Sequence, residues 1–206
     1  MNIIMIGIQG SGKGTQAGRL REKYGWEHVN VGDAFRMNIV EKTQLGVAAK
    51  SFIDKCELVP DKYVYGIVED ALNKASGGFI LDGFPRNMKQ ADFLIKKFKI
   101  DHVVIFDLED EIAVKRLTHR RLCQDCKTDY NLKSNKPKVQ GICDKCGGKL
   151  MIRDDDHLEA INKRIEKFHE ETKQVIDYFK EKGHIVYIHA DKTPDAIFEE
   201  IEQKIF

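Results

Sequence analysis

Hydrophobic residues gather in five short runs that are apolar on both faces: Asn2–Gly7, Trp26–Asn30, Gly78–Leu81, His102–Leu108 and His184–Ala190. Strands read this way when they are covered on both sides, and the stretches between them carry helical spacing instead. Lys13–Tyr24 leaves a glycine-rich loop and stops at Gly25. Asp92–Lys99 and Ile112–Arg121 repeat apolar residues at three and four. The longest helix is expected over Leu158–Lys182, with Leu158, Ile161, Ile165, Phe168, Val175, Ile176 and Phe179 on one side and Gly183 as its stop. Strands alternating with helices predict an α/β fold, a five-stranded parallel sheet flanked by helices. Two connections, 31–77 and 109–183, exceed the dozen or so residues a helical return needs, so an insert is expected in each.

Composition narrows the partners. Against 34 Lys and Arg stand 33 Asp and Glu, a formal net charge of +1, so no overall field draws the chain to a polyanion such as DNA. At 206 residues and 42% hydrophobic content it is long and apolar enough for a real core. No apolar run approaches the ~20 residues of a membrane span. The start, Met1-Asn2-Ile3-Ile4-Met5-Ile6-Gly7, has no basic leader and no cleavage site, so a cytoplasmic address is expected. In that compartment the five cysteines are not expected as disulfides.

The first chemistry is a phosphate cradle. Gly7-Ile8-Gln9-Gly10-Ser11-Gly12-Lys13-Gly14-Thr15 fits G-x-x-x-x-G-K-[ST] except that Gly14-Thr15 stands where one hydroxyl residue is usual. A strand leads in and a helix leads out, so backbone N–H groups and a helix N-terminus converge on one anion. Lys13 then reaches the β- and γ-phosphates and Thr15 faces Mg²⁺. No Asn-Lys-x-Asp for reading guanine is present. Asp82, ending Gly78-Phe79-Ile80-Leu81, is placed to hold Mg²⁺ or its waters; Asp107, ending Val103-Val104-Ile105-Phe106, competes for that role.

Arginine is scarce and therefore informative. Only nine of the 34 cationic side chains are Arg, and most of them lie at element ends or beside the inserts: Arg36, Arg86, Arg116, Arg120, Arg121, Arg153 and Arg164. A planar fork that binds two phosphate oxygens together is what Arg adds over Lys. Asp154-Asp155-Asp156 either pairs with some of these arginines or is a solvated helix N-terminus.

Cys123-x2-Cys126, sixteen residues, then Cys143-x2-Cys146 is the spacing of a closed tetrahedral site, with zinc favoured over iron. A flap over 119–156 is too small to build a core, so such a site would supply its folding energy. A zinc ribbon rich in lysine (Lys127, Lys133, Lys136, Lys138, Lys145, Lys149) also suits nucleic acid. Tyr130 is the one aromatic for stacking, however, and no nucleic-acid partner is expected. Cys56 reads as a small buried residue, and the histidines form no ligand or triad spacing.

Together these residues resemble the adenylate kinases of the long-lid bacterial type. The resemblance covers essentially the whole chain: Gly7-x-x-Gly10-Ser11-Gly12-Lys13-Gly14-Thr15-Gln16, Gly32-Asp33-x-x-Arg36, Leu58-Val59-Pro60-Asp61, Asp82-Gly83-Phe84-Pro85-Arg86 with Gln90, Arg116-x-x-x-Arg120-Arg121, and Arg153 with Arg164. It implies Mg²⁺-ATP + AMP ⇌ 2 ADP on a P-loop NTPase-like core at 1–29, 60–118 and 157–206. A helical NMP-binding insert at 30–59 and a small zinc-held lid at 119–156 complete it, working as a monomer. Site residues follow by motif. Gly10, Ser11, Gly12, Lys13, Gly14, Thr15, Arg116, Arg120 and Lys192 would take ATP, with Arg116 stacked on its adenine. Val31, Arg36, Glu57, Leu58, Val59, Gly83, Arg86 and Gln90 would take AMP, Gln90 on the base. Arg153 and Arg164 would close over the transferred group and the AMP phosphate, and Asp33 and Asp82 would hold waters on Mg²⁺. Lys13, Arg86, Arg120, Arg153 and Arg164 form the catalytic set. Val31 and Asn87 stand where bacterial members usually have Thr, and Asn at the second position is familiar from UMP/CMP kinases, the alternative activity.

Overall fold

A computed structural model describes residues 1–55, 57–183 and 185–206; Cys56 and His184 lie outside the described residues, and with them the reading of Cys56 and the expected first residue of the fifth run. The strands β1 (Asn2–Gly7), β2 (Glu27–Asn30), β3 (Phe79–Asp82), β4 (His102–Asp107) and β8 (Ile185–His189) form a parallel sheet in the order β2-β3-β1-β4-β8. All five runs contribute a strand, so the α/β reading holds.

Alternation along these strands feeds two cores. Ile4, Ile6, Leu81, Val103 and Ile105 face α4 (Asp61–Lys74), α5 (Met88–Lys97) and α8 (Lys173–Lys182), whose Val68, Leu94 and Phe179 are buried there. Ile3, Met5, Ile80, Val104 and Phe106 face α1 (Lys13–Tyr24) and α9 (Pro194–Ile205), which bury Leu20 and Ile201. A third cluster joins Ile8 to Leu117 of α6 (Asp110–Thr118) and to Ile161 and Ile165 of α7 (Leu158–Lys167), under the glycine loop. Because every pairing is parallel, the carboxyl ends of β1, β2 and β3 lie at one rim, where a ligand site is expected in an open parallel sheet.

Both inserts exist. The first holds α2 (Val31–Val40) and α3 (Gln44–Asp54), which cross so closely that a Cβ on Gly46 would stand 2.0 Å from the carbonyl oxygen of Asn38. The second is a small antiparallel sheet of β6 (Asp129–Asn131), β5 (Arg120–Cys123) and β7 (Leu150–Met151).

Three helical expectations are corrected. The helix read as Ile112–Arg121 ends at Thr118, and Arg120 and Arg121 open β5, paired with Asn131 and Tyr130. Two arginines at a helix end and two at a strand start look alike until the partner strand is known. The helix read as Asp92–Lys99 begins earlier, at Met88, because Asn87 caps it by accepting from Gln90 N. Leu158–Lys182 is interrupted by a wider turn over Phe168–Thr172, which places Thr172 inward to donate from Oγ1 to the Arg86 carbonyl at 3.0 Å.

Candidate active site

The glycine loop runs from β1 into α1 with Gly10 and Gly12 in the left-handed region, at φ of 85° and 90°. Gly12 is the N-cap of α1 and brings no side-chain acceptor, so the first-turn N–H groups of that helix are left for an external anion. Lys13 folds back over the loop: its Nζ donates to the carbonyls of Gly7 (2.7 Å) and Ile8 (2.9 Å) and to Ser11 Oγ (3.1 Å). Burial pulls the Lys13 ammonium down to about 8, with Asp82 opposing and the positive fields of Arg86 and Arg120 adding to the fall. Three cations from three separate segments are therefore near enough for two of them to act on the third.

Asp82 is the carboxylate that meets this loop. It is 5% exposed, and burial would push its carboxyl up, but the His28 imidazole, Lys13 and Arg86 outweigh burial and hold it below its ordinary value. Asp107, its competitor, ends β4 at the same rim but is exposed. Arg86 is fixed by its own turn, donating from Nε to the Gly83 carbonyl at 2.8 Å, while its backbone N–H donates to Gln90 Oε1 at 2.8 Å. Burial lowers the Arg86 guanidinium; Asp82 opposes, and Arg36 and Arg164 lower it further. Arg36, on α2, is lowered by burial and by Arg153, with Asp33 bonded to it in opposition.

The remaining arginines are clasped by two of the three consecutive aspartates. Arg120 donates from Nε (2.8 Å) and Nη2 (2.6 Å) to Asp156, which also accepts from Arg164 Nη2 at 3.1 Å. Asp155 accepts from Arg153 at 2.9 and 2.7 Å and from Arg164 Nη1 at 2.6 Å. Asp154 stays exposed at the surface. Burial would raise the Asp155 carboxyl, yet Arg153 and Arg164 hold it down at about 2. Arg164 Nε is buried without a partner. This bidentate pairing of forks with carboxylates is the geometry the same forks use for phosphate.

Around this centre lie the other residues singled out from the sequence. Arg116 Nη1 approaches the Gly10 carbonyl at 3.4 Å, and the field of Asp191 reaches it, so the 190–192 turn borders the same end of the loop. Lys192 pairs outward with Glu200 at 2.9 Å. Val31 and Val59 are buried where the insert meets the core. Gln90 is buried with both ends used: Nε2 donates to Asp61 at 2.8 Å. Arg121 turns back to its own segment, donating to the carbonyl of Arg120 at 2.6 Å. Asn30, His28 and Thr172 were missed. Asn30 alone had a legible signal, a cap-forming residue just before a helix; its partner Asp82 is 52 positions away.

In the lid, the four sulfurs of Cys123, Cys126, Cys143 and Cys146 lie within 4.8 Å of one another. A tetrahedron with Zn–S arms of about 2.3 Å has edges near 3.8 Å, so the donor set fits that ion in number, chemistry and spacing. The two C-x2-C turns match: Lys127 N donates to the Cys123 carbonyl and Gly147 N to the Cys143 carbonyl, with φ of 58° and 74°. Buried apolar packing here is slight, Tyr130 and Leu150 beside Cys123 and Cys143.

The sequence comparisons agree with one another. The family described as adenylate kinase matches residues 5–184. Proteins named adenylate kinase align with nearly the whole chain: from Oceanobacillus iheyensis, 42% identical over 209 positions, covering 98% of this chain and 97% of the relative; from Clostridium tetani, 43% over 208, covering 98% and 96%; and from Bacillus subtilis, 41% over 209, covering 98% and 96%.

Proposed function

The chain belongs to the adenylate kinase family and is a phosphotransferase between ATP and AMP, and we propose that Lys13, Arg36, Arg86, Arg120, Arg153 and Arg164 carry that reaction. The observation that supports this most is the set of cations around the glycine loop: Lys13 folded over it, with Arg86 and Arg120 near enough to act on the lysine, and Arg120, Arg153 and Arg164 clasped by Asp155 and Asp156. The comparisons favour this acceptor over a pyrimidine monophosphate, and over a nucleic-acid-binding ribbon.

In the reaction, an oxygen of the AMP phosphate attacks the γ-phosphorus of ATP. The new P–O bond forms as the bond from γ-phosphorus to the β,γ-bridging oxygen breaks, and the electron pair leaves with ADP. Both products are ADP. The AMP phosphate is already ionised near neutral pH, so no base is needed; positioning and neutralisation of charge do the work. The loop N–H groups, Lys13 and Arg120 hold the ATP phosphates, and Arg116 stacks on the adenine, with Lys192 offering backbone. Arg36 and Arg86 hold the AMP phosphate, and Val31, Glu57, Leu58, Val59, Gly83 and Gln90 surround the AMP nucleoside. Arg153 and Arg164 span the moving group. The magnesium ion that accompanies ATP supplies positive charge at the β- and γ-phosphates, and Asp33 and Asp82 are the carboxylates that would hold it through its waters. Closing of the 30–59 insert and the 119–156 lid over the 1–29, 60–118 and 157–206 core excludes water, which would otherwise accept the phosphoryl group. A zinc ion held by the four cysteines would give the lid its rigidity. We further assign the chain as a cytoplasmic monomer, in keeping with a chain among whose described residues no helix is long and apolar enough to cross a membrane.

Steady-state phosphorylation of AMP, CMP, UMP and GMP by Mg²⁺-ATP, run side by side, tests the acceptor. AMP is expected to have the highest kcat/KM. Higher values for CMP or UMP would overturn the assignment.

A further inference from the structure

Lys13 and Asp82 carry opposite charges and are neighbours: buried Asp82 has its Oδ2 3.7 Å from where a Cβ on Gly14 would stand, next to Lys13 in the chain. A direct ion pair between them is the alternative arrangement. It does not form: the three hydrogen bonds of Lys13 Nζ all go to the loop. Asp82 is held instead by Asn30, through the same Oδ2 that faces the start of α1.

Asn30 ends β2 in register with Asp82 at the end of β3, so the two side chains stand side by side. Its Nδ2 donates to Asp82 Oδ2 at 2.8 Å. Among the described residues this is the hydrogen bond that Asp82 accepts from a side chain, since His28 Nε2, at 3.8 Å from the same oxygen, is too distant and has no partner of its own. The other end of the amide, Oδ1, accepts from Asp33 N at 2.9 Å and caps α2. One side chain thus ties the strand-end carboxylate to the helix that carries Asp33 and Arg36.

We propose that Asn30 is a positioning residue for phosphoryl transfer: its amide holds Asp82 off Lys13, keeping the lysine free for phosphate and the carboxylate free for magnesium, and locks both to the first turn of α2. An amide is the shortest side chain that both donates and accepts here. Serine accepts at the cap but cannot span to Asp82, and aspartate caps without donating.

This rests on the reading of Asp82 and Lys13 given above, and Asn30→Ser and Asn30→Asp test it. Both variants keep the cap but take the donor away from buried Asp82, so both should melt about 3–12 °C below the parent, with Asn30→Asp the lower because its carboxylate also faces that of Asp82. In both, kcat should fall about tenfold, as expected for one charge-assisted hydrogen bond lost at the transition state, while KM for AMP changes less than twofold. Calorimetric titration with ATP, with Mg²⁺ and again in excess EDTA, supplies the second readout. The factor by which Mg²⁺ tightens ATP binding should shrink several-fold in both variants. That factor is measured without any monophosphate, so it stands even if another acceptor replaces AMP. A role in capping alone would leave kcat, KM and the Mg²⁺ factor at parental values in both cap-keeping variants, and would overturn the proposal.

Discussion

Replacing Asp156 by Asn removes one negative charge from between two arginines. The Asp156 side chain is 1% exposed and accepts three hydrogen bonds, two from Arg120 and one from Arg164. Asparagine has nearly the same shape but keeps a single acceptor oxygen, and its NH2 group turns toward a guanidinium that also donates. Breaking a buried pair by removing one partner costs about 3–5 kcal/mol, and the lower end applies because Arg120 is 19% exposed and one acceptor survives. For a chain of this length each kcal/mol moves the midpoint by roughly 2–4 °C, so Asp156→Asn should melt about 6–12 °C below the parent in scanning calorimetry. The same reasoning fixes how the deficit responds to ligand. If these forks bind phosphate, a dinucleoside pentaphosphate restores the missing negative charge, and the gap between variant and parent should narrow by about half when both are saturated. A variant that melts like the parent, or a deficit equally large with and without the polyphosphate, would refute the view that carboxylate and phosphate compete for one set of arginines.

Two further outcomes are expected. Lys13 is held at about 8, chiefly by burial, against about 10.4 in an unfolded chain, so between those values the unfolded state binds more protons. Its contribution to stability therefore rises with pH across that window, while ATP affinity falls above pH 8. ATP binding at pH 8.5 should take up a fraction of a proton, read by calorimetry in two buffers of different ionisation heat and abolished by Lys13→Met; buffer-independent heats in the parent would contradict the crowding of cations. Stripping metal with a chelator should lower the melting temperature, and Cys143→Ser should do the same, with about one zinc per chain in the untreated protein; an unchanged melting curve and no metal by elemental analysis would remove the lid assignment.

The sheet was legible because parallel strands buried on both faces leave unbroken apolar runs, and Ile3, Ile4, Met5 and Ile6 are all buried. The glycine loop and the cysteine pairs were legible because their partners are close in sequence. What escaped notice depends on distant pairing or on phase. Arg120 could be assigned to β5 only with Asn131 known as its partner. The wide turn over Phe168–Thr172 shows in the sequence only as a polar Thr172 on what should be an apolar stripe, and its meaning, a bond to the Arg86 carbonyl, lies 86 positions away. The aspartate triplet had two readings, and the structure divides them: Asp155 and Asp156 pair, and Asp154 is solvated.

That division bears on how such a site releases its product. Arg120, Arg153 and Arg164 are already bonded to Asp155 and Asp156, so an arriving phosphate gains only the difference between its own bonds and those it displaces. Forks held ready by internal carboxylates are oriented in advance, which lowers the ordering cost at the moment of transfer. They also bind the ground state less tightly than bare guanidiniums would, because each departing phosphate oxygen is replaced by a carboxylate already in reach. An enzyme whose two products are polyanions gains turnover from that exchange, since uniformly tighter binding would deepen the product complex without lowering the barrier. The same two aspartates connect the segment after β7 to Arg120 of β5 and Arg164 of α7, so under the proposed roles the exchange of carboxylate for phosphate would also couple closure of the 119–156 lid to substrate charge.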